Sequence, residues 1–365
     1  MSNNYGYTNP FSVCFTMMKL RYHDYDSSIE KLNFVSSNDK VNVFISFESV
    51  LNNLSMIKDL DNKLLLERNF PFILESEAIN LCAHYKKFFK GNGLDTRVFL
   101  YSTDLGSENF KNFKYNDEYR SYFLNKYLQN PKFQLLGRKL METSIPRIQR
   151  IMQFIPDVYF ISGKDIEGSI IPYIIFKLDP SRKNFIISTD KYDTQYLMNN
   201  KDFCVHYIKR SFTGSKVFFN FEKCISDIFN ENCEKDTNAD IFKNPYFYST
   251  LLAGLGDKTR SIDPLKGYGC KTILKSLNNA ITNGIIGKDT STINIILNSF
   301  PEDCHERIMD NFYCTNIDRQ YINLGNQDLF NIQSQIVDRF DYNSLLQLNR
   351  EDYKEYPLML PELTG

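Results

Sequence analysis

One stretch, LLAGLGDKTRSIDPLKGYGCKTILKSL (Leu251–Leu277), sets a carboxylate, a glycine-rich turn and a helix start in succession. Asp257, after Gly256, has the chemistry to hold a cation. Gly267 and Gly269 let backbone N–H groups approach a phosphate at the helix N-terminus. Lys266 and Lys271 add positive charge, and Thr272 offers a hydroxyl for a cap or a phosphate oxygen. A plain helix–turn–helix with a glycine connection would also read this way.

A second candidate lies in 111–150. Lys111, Lys114, Arg120, Lys126, Lys132, Arg138, Lys139, Arg147 and Arg150 face only Asp117, Glu118 and Glu142. Phe113, Tyr115, Tyr119, Tyr122 and Tyr127 are interleaved with them. A solvated amphipathic helix pair is one reading. A basic arch that neutralises phosphates and stacks bases is the other.

The rest of the chain must position these groups. With 365 residues it can bury one large core or two. A net charge of -1 excludes a global basic field, so any nucleic-acid contact has to be local. The richness in Asn, Ile, Lys and Tyr is what an AT-rich genome, such as that of a phage or low-GC bacterium, encodes. Eight cysteines without a CxxC pair, after a polar start, read as reduced thiols with no disulfides. No long apolar run predicts a membrane span. The four histidines are isolated and give no metal or triad spacing.

Val41–Phe47 reads as a buried strand turning helical, Ser76–Phe89 as a helix with Ser76 as N-cap, and Thr96–Tyr101 as a second strand. This βαβ order favours a parallel sheet. Further strands are expected at Asp157–Ser162, Asn184–Asp190, Phe203–Ile208 and Ser215–Phe221, the last two in antiparallel sense. Asp165–Leu178 reads as a helix interrupted at Pro172. The pattern is helical from Phe247 to about Phe340. The expected layout is an N-terminal arm (1–39), an α/β domain (40–246) with the basic arch at about 105–150, a helical region (247–340) and an extended tail (341–365). Arm and tail are candidate docking segments for structural partners.

Three segments then line up with one family. The chain resembles the flap endonucleases and 5′-to-3′ exonucleases, whose fold is related to PIN domains. Ser188-Thr189-Asp190-Lys191-Tyr192-Asp193-Thr194-Gln195-Tyr196-Leu197 is similar to the family's small-small-Asp-Lys-Asp-x-x-Gln-Leu strand exit. Asp165-Ile166-Glu167-Gly168 stands where the family has Glu-x-Asp-Asp. Gly256-Asp257-Lys258-Thr259-Arg260 stands at Gly-Asp-x-x-Asp, and Lys266–Thr272 at the phosphate-gripping Gly-hydrophobic-Gly-x-Lys-Thr turn. The resemblance covers roughly 40–300. It implies a PIN/FEN-like, mostly parallel α/β sheet with a helical C-terminal region, DNA as partner, and Mg²⁺ or Mn²⁺ if active. It implies Asp165, Glu167, Asp190 and Asp257 as catalytic and metal-binding residues.

The departures bear on chemistry. Ser46 and Ser102 stand where the family's first strands end in Asp, with Glu48 and Asp104 two residues on. Gly168, Tyr192 and Arg260 replace three more carboxylates. Asp193 is displaced by one from its motif position, which turns a side chain to another face. Two-metal hydrolysis needs a ring of carboxylates around cations about 3.5–4 Å apart. The four survivors suffice for one cation, or none, and Arg260 opposes a cation nearby. Individually, each survivor also fits a helix-start carboxylate or a turn. The expectation is a FEN-like protein with a degraded metal site. It would be non-catalytic and act as a structural or DNA-binding component, in a phage particle or the cytoplasm of a bacterial host. The alternative is an active metal-dependent 5′ nuclease in replication or repair.

Overall fold

The computed structural model describes residues 39–47, 49–50, 63–103, 144–153, 155–163, 166–188, 191–197, 202–208, 215–218, 245–256, 262–287, 290–322 and 324–336. Alternation of large apolar side chains drives the central sheet. In β1 (Lys40–Ser46), Val41, Val43 and Ile45 belong to one buried cluster and Phe44 to another on the opposite face. β2 (Asp95–Thr103) sends Val98 and Leu100 one way, Phe99 and Tyr101 the other. β3 (Val158–Gly163) and β4 (Lys183–Ser188) repeat the pattern. Burial on both faces is the mark of a parallel sheet covered by helices. Phe44, Phe99 and Tyr159 stack across three strands with ring centroids 5.1 Å apart at each step.

The six-stranded order is β3-β2-β1-β4-β5-β6, with β5 at Phe203–Ile208 and β6 at Ser215–Phe218. β1 to β5 pair in parallel, and β6 adds antiparallel to β5. The antiparallel expectation for the last pair therefore holds, and β5 also continues the parallel set.

Two local expectations need correction. Helix α1 spans Lys63–Gly91, so Ser76 is a buried mid-helix residue and not a cap. The apolar pattern runs on upstream of it, and packing of that face overrides serine's preference for a helix end. Pro172 does not interrupt a helix. After the 3-10 turn Gly168–Ile170 it stands in the first turn of α3 (Ile171–Leu178), where no N–H donor is required. The helix α2 (144–152) lies between these two.

The C-terminal helices are α4 (Pro245–Leu255), α5 (Cys270–Thr282), α6 (Thr292–Ser299), α7 (Glu302–Thr315), α8 (Ile317–Ile322) and α9 (Asn326–Gln333). They share one core with the sheet: Phe44, Ile186 and Val205 lie in the same buried cluster as Leu251, Leu277, Ile308 and Ile332. The other face is covered through Ile79, Cys82, Tyr85 and Phe89 of α1 and Ile148 and Met152 of α2. At the amino edge, buried Arg182 ties Asp95 and Asp179 together, at 2.9 and 3.1 Å. Among the described residues no helix is long and apolar enough to cross a membrane, and five cysteines are free thiols.

Candidate nucleic-acid interface and the carboxyl edge of the sheet

The strand order reverses between β1 and β4, so the carboxyl ends of these two strands flank the crevice where open α/β folds bind ligands. Serines occupy that edge. β1 ends at Ser46, β4 ends at Ser188, and Ser102 of β2 is in register with Ser162 of β3. Ser46, Ser102 and Ser188 are buried. The Ser46 hydroxyl accepts from the Ser49 N–H at 3.2 Å and so caps the turn that follows β1. A neutral hydroxyl spent in this way supplies no charge to a divalent cation.

Of the four carboxylates drawn from the resemblance, Glu167 is described. It is buried, and its Oε2 accepts from Gln320 Nε2 at 3.4 Å. The same amide donates to the Cys314 carbonyl at 2.5 Å, which fixes its orientation because both partners are acceptors. Asp165, Asp190 and Asp257 lie outside the described residues, as do Glu48, Asp104 and Arg260. Gly168 opens a buried 3-10 turn. Among the described residues no three His, Cys, Asp or Glu gather in a metal-binding group.

The chain leaving β4 is held at five successive residues. In the 3-10 segment Lys191–Leu197, Tyr192 donates to the Gly256 carbonyl at 3.3 Å. Asp193 accepts from the Tyr101 hydroxyl at 3.3 Å, and Thr194 shares a 2.8 Å bond with the Tyr248 hydroxyl. Gln195 donates to the Thr315 carbonyl at 2.8 Å and Tyr196 to the Ser169 carbonyl at 2.5 Å. Burial, aided by the Asp193 charge, pushes the Tyr196 phenol well above its ordinary pKa, so it stays a donor. These bonds join the sheet to α4, α7 and the turn before α3.

The end of α4 is fastened from three sides. Leu265 N–H bonds the Gly254 carbonyl at 2.9 Å, Asn311 reaches the Ala253 carbonyl at 2.8 Å, and Tyr192 takes Gly256. These are the carbonyls a helix end leaves without intrahelical partners. Gly256 has φ +59°, and a Cβ there would stand 2.5 Å from the Ile262 carbonyl oxygen, so only glycine serves.

The loop then reaches the cradle. Lys266, Gly267, Gly269, Lys271 and Thr272 are all exposed, with Tyr268 half-buried between them. Gly267 needs its φ of +82°. Gly269 does not need to be glycine for the fold: φ −84°, ψ 175° suits any residue, and nothing lies within 4 Å of a Cβ built there. The space is open toward solvent. Gly269 is the N-cap of α5 without a side-chain cap, and the first turn holds no acid but does hold Lys271. The dipole at a helix start disfavours a cation and favours an anion. Lys275, also exposed, extends the positive face by one turn.

Lys111, Lys114 and Arg120 lie outside the described residues. At the end of that basic stretch, Arg147 pairs with the fully buried Glu75 of α1 at 3.3 Å, so its charge is already matched within the protein. Sequence reasoning missed the bonds from Tyr192, Gln195, Gln320 and Asn311. Each spans 48 residues or more and leaves no local pattern.

No protein-family model matches the chain, and no curated protein is similar to it in sequence. Solved structures are similar in fold. The D15 flap endonuclease of bacteriophage T5, in a pseudo-enzyme–product complex with DNA and metal ions, superposes with a TM-score of 0.51 at 14% identity. The match covers 82% of this chain and 99% of that one. The T5 5′-exonuclease with divalent zinc ions bound gives 0.50 at 13% identity, covering 81% and 97%. At such identity the likeness is one of fold.

Proposed function

From this flap-endonuclease fold, we propose a protein that grips the DNA phosphate backbone through the α4–α5 turn and has lost efficient two-metal hydrolysis. The observation that carries this reading is the Tyr192–Gly256 hydrogen bond. In the family pattern the position of Tyr192 holds a carboxylate facing the metals. Here a buried phenol ties the strand exit to the backbone just before Asp257. The neutral serines at 46 and 102 act in the same direction. Asp165, Glu167, Asp190 and Asp257 are the remaining candidates for a single divalent ion, Mg²⁺ or Mn²⁺, which would act as a Lewis acid on a phosphoryl oxygen.

The DNA grip rests on Lys266, Lys271 and Lys275 around the open backbone at Gly267 and Gly269. Lys111, Lys114 and Arg120 extend it if the basic stretch meets the same strand. Bulk charge plays no part, since the net charge is -1. A second reading, a structural component of a phage particle docked through its terminal segments, draws on the Asn, Ile, Lys and Tyr bias and the polar start of the chain.

Fluorescence anisotropy with a labelled 5′-flap duplex in EDTA tests the grip. The expected result is metal-independent binding that weakens linearly in log–log form with added salt. Lys271→Ala should reduce the slope by about one contact. Absence of binding at low salt, or a flat salt response, overturns the reading.

A further inference from the structure

We infer that Tyr268 is the positioning residue of the phosphate cradle, the side chain that fixes the exposed glycine turn against α7. This rests on the DNA-binding reading above and adds to it what holds the backbone donors in place. A turn that presents bare backbone has few ways of anchoring itself. Gly267 and Gly269 have no side chains, and nothing lies within 4 Å of a Cβ built on either. Lys266 is exposed. Within 266–269 the one side chain packed on the core is therefore that of Tyr268.

Its ring packs just ahead of α7. The ring lies 5.9 Å from that of buried Phe300, inclined at 59°. Cys304, one turn into α7, packs with it on the same buried cluster. The Tyr268 N–H bonds the Leu265 carbonyl at 3.0 Å, which closes the turn from the inner side. Phe300 is itself fixed, since its carbonyl bonds His305 at 2.7 Å and its N–H bonds Ile296 at 3.3 Å. A rigid ring wedged on a fixed partner therefore sets the direction of the peptide groups on both sides of it. Glu302 and Asp303 stand in the first turn of α7. Lys266, Lys271 and Lys275 lie on the exposed side.

The test uses the full chain and the 5′-flap anisotropy assay, with thermal unfolding in parallel. Tyr268→Ala should weaken binding by about tenfold and lower the salt slope by about one contact. Tyr268→Phe keeps the ring on Phe300 and should stay within about threefold of the parent, with the parent slope. A merely structural role would lower the unfolding temperature of the alanine variant and leave the salt slope of its folded fraction unchanged, which overturns the inference. If the alanine variant does not fold, Tyr268→Leu decides, because it keeps apolar contact without a planar ring. Parent affinity and slope for that variant also overturn it. The DNA-binding reading fails separately, by the parent protein not binding the flap at all, and the inference then falls with it.

Discussion

The Tyr192 hydroxyl donates to the Gly256 carbonyl oxygen at 3.3 Å and so links the exit of β4 to the exit of α4. The pair is 64 residues apart in sequence and buried. Tyr192→Phe keeps the ring and removes the donor, leaving a helix-end carbonyl without this partner. It should cost about 1 kcal/mol in urea unfolding. Tyr192→Asp should cost at least about 3 kcal/mol, because a small charged group replaces a large buried ring. An aspartate variant as stable as the parent would mean that the position still accepts a carboxylate.

Asn311 holds the loop that leads to the cradle. Its Nδ2 donates to the Ala253 and Asp263 carbonyls, each at 2.8 Å, from a buried position. Asn311→Asp is nearly isosteric but acceptor-only, and sets a carboxylate oxygen against two carbonyl oxygens. Calorimetry should show destabilisation of about 3 kcal/mol or more at pH 7, relieved in part at acidic pH as the new carboxyl protonates. Equal stability of parent and variant at pH 7 would remove Asn311 from this role.

The amino edge of the sheet predicts an acid limb of stability. The Ser181 hydroxyl, at 2.6 Å, lowers the Asp179 carboxyl pKa most, against an opposing effect of burial. The Ser181 N–H and Arg182 add to the lowering. A carboxyl with a folded-state pKa below its unfolded value stabilises the fold above the unfolded value, 3.8, and loses that contribution as pH falls through the folded value. Asp179→Asn should therefore flatten the parent's loss of stability below about pH 4. With the carboxylate more than a third exposed, the loss at pH 7 should be about 1 kcal/mol at most. A variant with the parent's acid limb intact would assign that limb to other groups.

The sheet was legible because its signal is local. Apolar runs such as Val41–Phe47 and Asn184–Ser188 carry the two-residue period that places side chains on both faces. The glycine turn at Lys266–Gly269 was legible for the same reason, since a positive φ and a helix start leave their mark in neighbouring residues. Two other helix landmarks were less legible. Ser76 looks like a cap and Pro172 like a break, and tertiary burial decides each of them otherwise. The partners of Glu167, Tyr192 and Gln195 were illegible. A hydrogen bond between residues far apart in the chain follows from the packing of whole elements and not from any spacing.

The proposed grip on phosphate without efficient hydrolysis can be tested on the intact chain. The most direct measurement incubates the purified chain with an end-labelled 5′-flap duplex in Mg²⁺ and, separately, Mn²⁺, beside Asp190→Ala, and resolves the products on a denaturing gel. The account predicts intact substrate in every lane at protein concentrations that saturate binding. Metal-dependent cleavage by the parent chain that disappears in Asp190→Ala would contradict it.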